Sequence, residues 1–579
     1  MVCTYKFANG EVLAIELLKP FLFMKPLEHL FIDFPFSRPV NLPNVSVTGI
    51  AIDSRLVKPG DLFVAMKGGL SDGHNYIPKA IENGAVAVVG EKDFVGRIVA
   101  DPAGGEANPT YIQIENPRRA LTYLAAAFYD WPGRKLTVIG VTGTDGKTTT
   151  TNLIHRIFLA AGIKGGMVST VNAVIGDEVL DTGFHVTTPD AHDVQRYLAK
   201  MVAAGLTHVV LETTSHGWAQ HRVDACEFDI GVVTNITHEH MDEHGNYENY
   251  RAAKARLFSS LEKTVGKPQG NPRLAVINRD DRSYEFLNDF IKVNRVSYGL
   301  QVEADVRGVD VEYSQEGIHF TAESKDLRVA ISSNLVGSYN VSNCLAALAA
   351  TVYGLGIDPG VAAQGIASLE AIPGRMEQID LGQDFIAIVD FAHTPNALKV
   401  SLEAARKILS TIGNAESMEK GKKISVRSVA KNAPRVIAIF GSAGLRDKEK
   451  RRMMAETSIE LADLTILTAE DPRTESLDGI LNEMAAGARS RGGREGETFW
   501  RVPDRGEALR FALRLAHPGD LVLSCGKGHE QSMCFGRTEY PWDDRTAMRA
   551  ALVEHLGIEG PKMPYLPSQD KSEEEWLNT

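Results

Sequence analysis

The run Val138-Ile139-Gly140-Val141-Thr142-Gly143-Thr144-Asp145-Gly146-Lys147-Thr148-Thr149-Thr150 carries an apolar segment into glycines, one lysine and a block of hydroxyls. A helix-forming segment, residues 152–158, follows at once. Glycines let backbone N–H groups turn towards an anion, a helix N-terminus adds positive potential, and Lys147 adds a full charge. A hydroxyl from Thr148 or Thr149 can ligate a metal ion. This is chemistry suited to nucleotide phosphates. The spacing is irregular, because Gly143 and Gly146 enclose only two residues where the usual phosphate loop has four before its Gly-Lys pair. The competing reading is a Gly/Thr-rich turn capping a helix. The order of strand, Gly-Lys-Thr and helix favours the phosphate loop.

A second cluster lies downstream. His216, His221, His238, His240 and His244 crowd together with Glu212, Glu239, Asp242 and Glu243. One reading is a transition-metal site. The other is that one or two of these groups meet Mg2+ while the rest make hydrogen bonds, and the phosphate loop upstream favours it. Lys254 stands in a helix-like stretch, residues 250–258, where spacing alone makes it a surface lysine.

The elements that must position these residues share one arrangement: an apolar strand ends and a polar cluster begins. It occurs at 209–211 before Glu212 to His216, at 230–233 before Thr234 and Asn235, and at 274–277 before Asn278 to Asp281. Continuous apolar strands belong to buried parallel sheets. Ligands of open α/β sheets bind beyond the strands' carboxyl ends, so these clusters should face one crevice. The arrangement recurs at 385–389 before Asp390, at 436–440 before Gly441, at 464–467 before Glu470, and at 521–523 before Gly526. That predicts a second doubly wound α/β unit.

Shorter strand-like runs, 49–55, 61–66 and 85–90, precede a break near Trp131-Pro132-Gly133-Arg134. Three blocks are expected: 1–134, 135–372 and 373–579, with 1–24 a possible extension and translation starting at Met1 or Met24. The polar, Lys/Arg-rich stretch 411–435 reads as a solvated loop, and the tail 569–575 as frayed.

At 579 residues the chain exceeds one core. Its net charge of -12 argues against a general nucleic-acid binder but leaves a nucleotide ligand open. The five cysteines are scattered without a CxxC pair, so neither a zinc knuckle nor a disulfide framework is indicated. The apolar stretch 12–24 is interrupted by Glu16, Lys19 and Pro20, which fits neither a signal peptide nor a membrane span. A cytoplasmic monomer is expected.

The motifs, taken in order, resemble the Mur ligase family, closest to its MurE type, from about residue 45 to 552. They are Asp53-Ser54-Arg55, the loop Gly143-Thr144-Asp145-Gly146-Lys147-Thr148-Thr149, Thr187-Thr188-Pro189, Ser215-His216-Gly217 and Gln220-His221-Arg222. Thr234-Asn235, His240-Met241-Asp242, Tyr250 through Lys254, Gly337-Ser338-Tyr339-Asn340 and Pro373-Gly374-Arg375-Met376-Glu377 follow. Asp390 to Pro395, Asp471-Pro472-Arg473 and Gly526-Lys527-Gly528-His529-Glu530 complete the set.

The resemblance implies an α/β, three-domain Mur ligase architecture: an N-terminal UDP-substrate domain, a central P-loop ATPase domain and a C-terminal Rossmann-like domain. It implies an ADP-forming ligase that uses ATP and Mg2+. ATP would phosphorylate the D-Glu carboxylate of UDP-MurNAc-L-Ala-D-Glu, and the amine of lysine, ornithine or diaminopimelate would attack the acyl phosphate. The setting would be peptidoglycan precursor synthesis.

By the same resemblance Lys147, Glu212, His240 and Lys254 are catalytic. Thr148, Glu212 and His240 would bind magnesium, and Lys254, carbamylated by CO2, would hold a second ion. Gly143 to Thr149, Asn278, Asn340, Arg375 and Asp390 would surround the nucleotide. Ser54, Gly69, Leu70, Ser71, Thr187, Thr188, Ser215, Gln220 and Arg222 would meet the UDP-substrate. Arg446, Asp471, Pro472, Arg473, Gly526 and Glu530 would meet the amino acid. The runner-up is a ligase of the folylpolyglutamate or cyanophycin synthetase kind. A nucleotide-dependent binding protein without ligase chemistry would lack Lys147, Glu212, His240 or Lys254, and all are present.

The chain departs from the pattern at Asp471, where diaminopimelate-adding members carry asparagine. Its charge would welcome a side chain ending in a lone ammonium, whereas Arg473 and Arg446 could each pair with a carboxylate. The balance leans to a basic diamino acid. Asp145 replaces the usual asparagine or lysine, and Phe391 the usual tyrosine.

Overall fold

The computed structural model describes residues 4–6, 12–14, 24–36, 39, 42–68, 71–92, 109–181, 188–237, 245–313, 317–419 and 433–570. Four parallel strands, Gly49–Ala51, Asp61–Val64, Ala87–Gly90 and Thr110–Gln113, lie side by side in chain order. The helix Pro117–Phe128 covers them with Leu121, Leu124 and Phe128. It starts where the Asn116 side chain accepts the Arg119 N–H and a proline takes the first turn. The strands are shorter than their apolar runs suggested: the first ends at Ala51, after which the chain bends.

The eleven-stranded sheet that follows holds the phosphate-loop strand, Thr137–Thr142, at its middle. His208–Glu212 pairs parallel on one side and Ile230–Val233 on the other. Gly165–Val168, Leu274–Asn278 and Asn294–Gly299 extend the parallel part. The strand order reverses about Thr137–Thr142, so the loop after it opens into the crevice where α/β folds bind ligands. The helix Lys147–Ala160 packs Leu153, Ile154, Ile157 and Phe158 into the core, and the helices Tyr339–Leu355 and Pro359–Ala367 lie against it.

A six-stranded sheet closes the chain. Its parallel strands run in the order Ile386–Asp390, Leu521–Cys525, Val436–Phe440, Leu464–Leu467, Phe499–Arg501, with Glu377–Ile379 antiparallel at one edge. Both doubly wound units predicted from the alternation of apolar strand and polar cluster are thus present.

One expectation fails. The helix Pro395–Glu419 runs through the first part of the stretch read as a solvated loop. Ala415, Glu416, Met418 and Glu419 are good helix formers, and adding residues to an existing helix is far easier than nucleating one. Residues 420–432 lie outside the described residues, as do 571–579.

Candidate functional site

Conformation demands the two loop glycines. Gly143 has φ +154 and a Cβ there would lie 1.8 Å from Thr234 Oγ1; Gly146 has φ +81 and its Cβ would lie 2.3 Å from Asn343 Oδ1. The loop is strapped from the next strand. Thr144 N–H donates to Asn235 O at 2.8 Å, Asp145 N–H donates to Asn235 Oδ1 at 2.9 Å, and Thr234 Oγ1 donates to Asp145 O at 2.5 Å. Thr144 Oγ1 lies 3.0 Å from the Tyr250 hydroxyl.

Two lysines converge here. Lys147 Nζ donates to Thr144 O at 2.7 Å, and Lys254 Nζ donates to Gly143 O at 2.5 Å. Lys254 is 2% exposed and lies over the Tyr250 ring at 4.5 Å, so it is not the surface lysine that spacing suggested. The helix Tyr247–Lys263 turns that face onto the sheet, burying Tyr250, Leu257 and Phe258 alongside it.

Glu212 ends the strand beside the loop strand, in register with Val141. Thr148 Oγ1 lies 3.0 and 3.1 Å from its two oxygens, and Thr170 N–H donates to it at 2.9 Å. Glu212 is 2% exposed, and among the described residues no cationic side chain pairs with it. A buried carboxylate next to a hydroxyl, without a counter-charge, fits a hard cation.

Of the histidine cluster, His216 Nε2 lies 2.6 Å from Gln220 Nε2, and His221 Nδ1 lies 2.7 Å from Asp224 Oδ2. Both follow the reading in which most of these histidines hydrogen-bond. Residues 238–244, with His240, lie outside the described residues, and no three-ligand His/Cys/Asp/Glu group occurs among the described ones.

The four flanking residues do different work from one another. Arg375 Nη2 reaches Thr148 Oγ1 at 3.4 Å, and its guanidinium lies 4.4 Å over the Phe391 ring. Asp390 is held by the Met376 and Ala392 N–H groups and the Ser401 hydroxyl, at 2.8, 3.0 and 2.9 Å. It therefore anchors the segment that carries Arg375. Asn278 Nδ2 donates to Thr234 O at 2.7 Å and supports the strap. Asn340 Oδ1 accepts from Asn343 Nδ2 at 2.9 Å, and Asn343 is the residue facing Gly146. The sequence reading missed Asn343, although it stands one helical turn beyond Asn340.

For the UDP-substrate set, Thr188, Ser215, Gln220 and Arg222 come together. Thr214 N–H donates to Thr188 Oγ1 at 3.0 Å, Arg222 Nη1 donates to Thr188 O at 2.6 Å, and Arg222 Nη2 donates to Gln220 Oε1 at 2.8 Å. Ser215 is buried in the first turn of Ser215–Ala219. Ser54 belongs to the separate N-terminal sheet region, where its carbonyl accepts from Asn83. Ser71 O accepts from Gly68 N–H and closes a tight loop. Gly69, Leu70 and Thr187 lie outside the described residues.

In the C-terminal unit Gly444 to Arg446, Asp471 to Arg473 and Gly526 to Glu530 follow three strands of one sheet. Asp471 and Arg473 adopt positive φ, 40 and 55. Arg473 Nη1 lies 3.5 Å from Gly444 O, and Arg446 is exposed. Asp471 does not present a bare charge to a substrate. Its Oδ1 pairs with the buried Lys527 at 3.0 Å, and Lys527 also meets Glu530 Oε2 at 2.5 Å. The loops are tied together by buried Arg505, which donates to Ala469 O at 3.0 Å and Cys525 O at 2.8 Å and pairs with Asp544. His393 and His529 flank Phe391, and burial pushes both down to about 3.

Family models match three segments in order: "Mur ligase family, catalytic domain" at 46–129, "Mur ligase middle domain" at 141–351 and "Mur ligase, glutamate ligase domain" at 413–528. A UDP-N-acetylmuramyl-tripeptide synthetase of Roseiflexus sp. (strain RS-1) is 40% identical over 535 residues, covering 90% of this chain and 98% of the relative.

The chain belongs to the Mur ligase family.

A UDP-N-acetylmuramoyl-L-alanyl-D-glutamate--2,6-diaminopimelate ligase of Geobacillus thermodenitrificans is 36% identical over 88% of this chain and 96% of its own length. A solved structure of a ligase with the same name has a TM-score of 0.59 at 27% identity, covering 92% of this chain and 99% of that one. A Mycobacterium tuberculosis folylpolyglutamate synthase shares the fold, with a TM-score of 0.55 at 13% identity. The chain is thus an ATP-dependent ligase of the MurE type with the three-domain Mur ligase architecture. No helix among the described residues is long and apolar enough to cross a membrane.

Proposed function

We propose that the chain joins a diamino acid to the D-Glu carboxylate of UDP-MurNAc-L-Ala-D-Glu, through an acyl phosphate, in peptidoglycan precursor synthesis. The observation that carries this is convergence beyond the carboxyl ends of neighbouring central strands: the phosphate loop with Lys147, the buried Lys254, the Thr148–Glu212 pair and Arg375 from the next domain. Carboxylate and triphosphate are both anions, so bringing them together requires concentrated positive charge.

Lys147 and Arg375 bind and orient the phosphates. Thr148 and Glu212, with His240, would hold Mg2+, which when bound would supply positive charge beside the phosphates. Lys254 would take up CO2 to become a carbamate that holds a second ion; its near-complete burial against Gly143 O at 2.5 Å supports placing that group at the loop. Asp390, Asn278 and Asn340 support the nucleotide site by holding Arg375, Thr234 and Asn343.

Thr187, Thr188, Ser215, Gln220 and Arg222, with Ser54 and residues 69–71 from the N-terminal domain, receive the UDP-substrate. Arg446, Pro472, Arg473, Gly526 and Glu530 receive the amino acid. We place the domain limits at 1–134, 135–372 and 373–579; each block holds one of the three larger sheets. The soluble reactants suit a cytoplasmic monomer.

The test is phosphate release from ATP with Mg2+, UDP-MurNAc-L-Ala-D-Glu and one of lysine, ornithine or the diaminopimelate isomers. Release should require the diamino acid, and a tripeptide product should form. No release with any of them refutes the reading.

A further inference from the structure

The main chain of Asp145 belongs to the phosphate loop, but its side chain meets another domain. Its N–H and carbonyl are tied to Asn235 and Thr234, while its Oδ2 accepts a hydrogen bond from Asn396 Nδ2 at 3.1 Å. Asn396 lies in the first turn of the helix Pro395–Glu419, where the Thr394 hydroxyl accepts the Ala397 N–H at 3.1 Å. The same helix touches the eleven-stranded sheet a second time, where Lys407 Nζ lies 3.1 Å over the ring of Tyr313, the last residue of the strand Val306–Tyr313. Residues 396 and 407 are about 16 Å apart along a helix axis, so the two contacts fix the helix's direction as well as its position.

An acidic side chain in a phosphate loop opposes the anion that the loop holds. Here the carboxylate is placed against an amide donor in the first turn of a helix, where the positive end of the helix dipole favours it. We infer that Asp145 and Asn396 form a latch that couples the phosphate loop to the seating of the C-terminal domain. Phosphates in the loop repel the carboxylate towards Asn396. The latched helix keeps the C-terminal domain where Arg375 reaches Thr148 at 3.4 Å. A nucleotide that meets Arg375 only in the latched arrangement binds more weakly as that arrangement is depopulated. Asn396 is thus a positioning residue, acting through Asp145 and Arg375 without touching the nucleotide. The inference rests on the loop's holding nucleotide phosphates and is indifferent to which amino acid is joined.

The experiment is a double-mutant cycle in the full-length protein: the parent, Asp145→Asn, Asn396→Asp and the double variant. Each is titrated calorimetrically with the magnesium complex of a non-hydrolysable ATP analogue. Asn396→Asp sets two carboxylates face to face and should weaken binding about tenfold or more. In the Asp145→Asn background the same change only exchanges donor and acceptor, so it should cost less than about twofold. Aspartate in a first turn favours a helix, so melting of the C-terminal helix does not account for the loss. Small-angle scattering with the analogue bound should give Asn396→Asp a larger radius of gyration than the parent, and the double variant the parent's value.

A loss below about twofold in Asn396→Asp overturns the inference. So does an equal loss in both backgrounds, which would mean that position 396 acts without Asp145. If the cycle behaves as expected but no tripeptide forms, the proposed reaction fails and the latch stands. If tripeptide forms and the cycle shows no interaction, only the latch fails.

Discussion

Replacing Thr148 with valine keeps the shape of the side chain and removes one hydroxyl. That hydroxyl lies 3.0 and 3.1 Å from the two oxygens of Glu212, and Thr148 is 4% exposed. Among the described residues Glu212 then keeps only the Thr170 N–H as a donor. A hydrogen bond to a buried charged group contributes about 1.5–3 kcal/mol. For a domain the size of the central one, each kcal/mol moves the melting temperature by about 2–4 °C, which gives a drop of about 3–12 °C. If the hydroxyl also serves the reaction, losing the same energy in the transition state lowers kcat/KM for MgATP by about 10- to 150-fold. Thr148→Ser is the control, since it keeps the hydroxyl and gives up one methyl group. The assays are thermal unfolding and phosphate release across a Mg2+ titration. The reasoning is refuted if the valine and serine variants melt together and respond alike to Mg2+.

Other perturbations probe separate parts of the account. Gly146→Ala forces a side chain into φ +81 and within 2.3 Å of Asn343 Oδ1, a left-handed strain of about 1–2 kcal/mol before the clash. Calorimetric titration should show ATP affinity falling at least about tenfold, and unchanged affinity would remove the loop from the nucleotide site. Arg505→Met strands the fully buried Asp544 carboxylate and should destabilise the protein by about 3–5 kcal/mol in urea unfolding. Adding Asp544→Leu should recover much of that, and a single variant within about 1 kcal/mol of the parent would contradict the burial argument. His393 and His529 titrate near 3 when folded, whereas an unfolded imidazole titrates near 6.5. Between those values the unfolded chain binds protons that the fold excludes, so stability falls as pH drops below about 6.5, by up to about 1.4 kcal/mol per pH unit for each histidine. Denaturation curves for His393→Asn should show a shallower acid slope, and an unchanged slope would mean that the buried imidazole is not the source.

The sheets were legible because parallel strands buried on both faces leave continuous apolar runs, and their polar ends mark the crevice. The loop chemistry was legible for the same reason. Lys254 was not, since its partner Gly143 lies 111 residues away and helical spacing reports a face, not what covers it. The pairing of Asp471 with Lys527, 56 residues on, escaped likewise, and with it the fact that the Asp471 charge is already matched. The polar segment 411–419 was read as loop because composition reports solvation, while helix propagation depends on the turns before it.

The central claim is that ATP activates the D-Glu carboxylate as an acyl phosphate before the amine attacks. Labelling that carboxylate with oxygen-18 and running one turnover with ATP, Mg2+ and a diamino acid tests it directly. The account predicts that one labelled oxygen appears in the released inorganic phosphate, with ADP as the other product. Unlabelled phosphate, or formation of AMP and pyrophosphate, would contradict it.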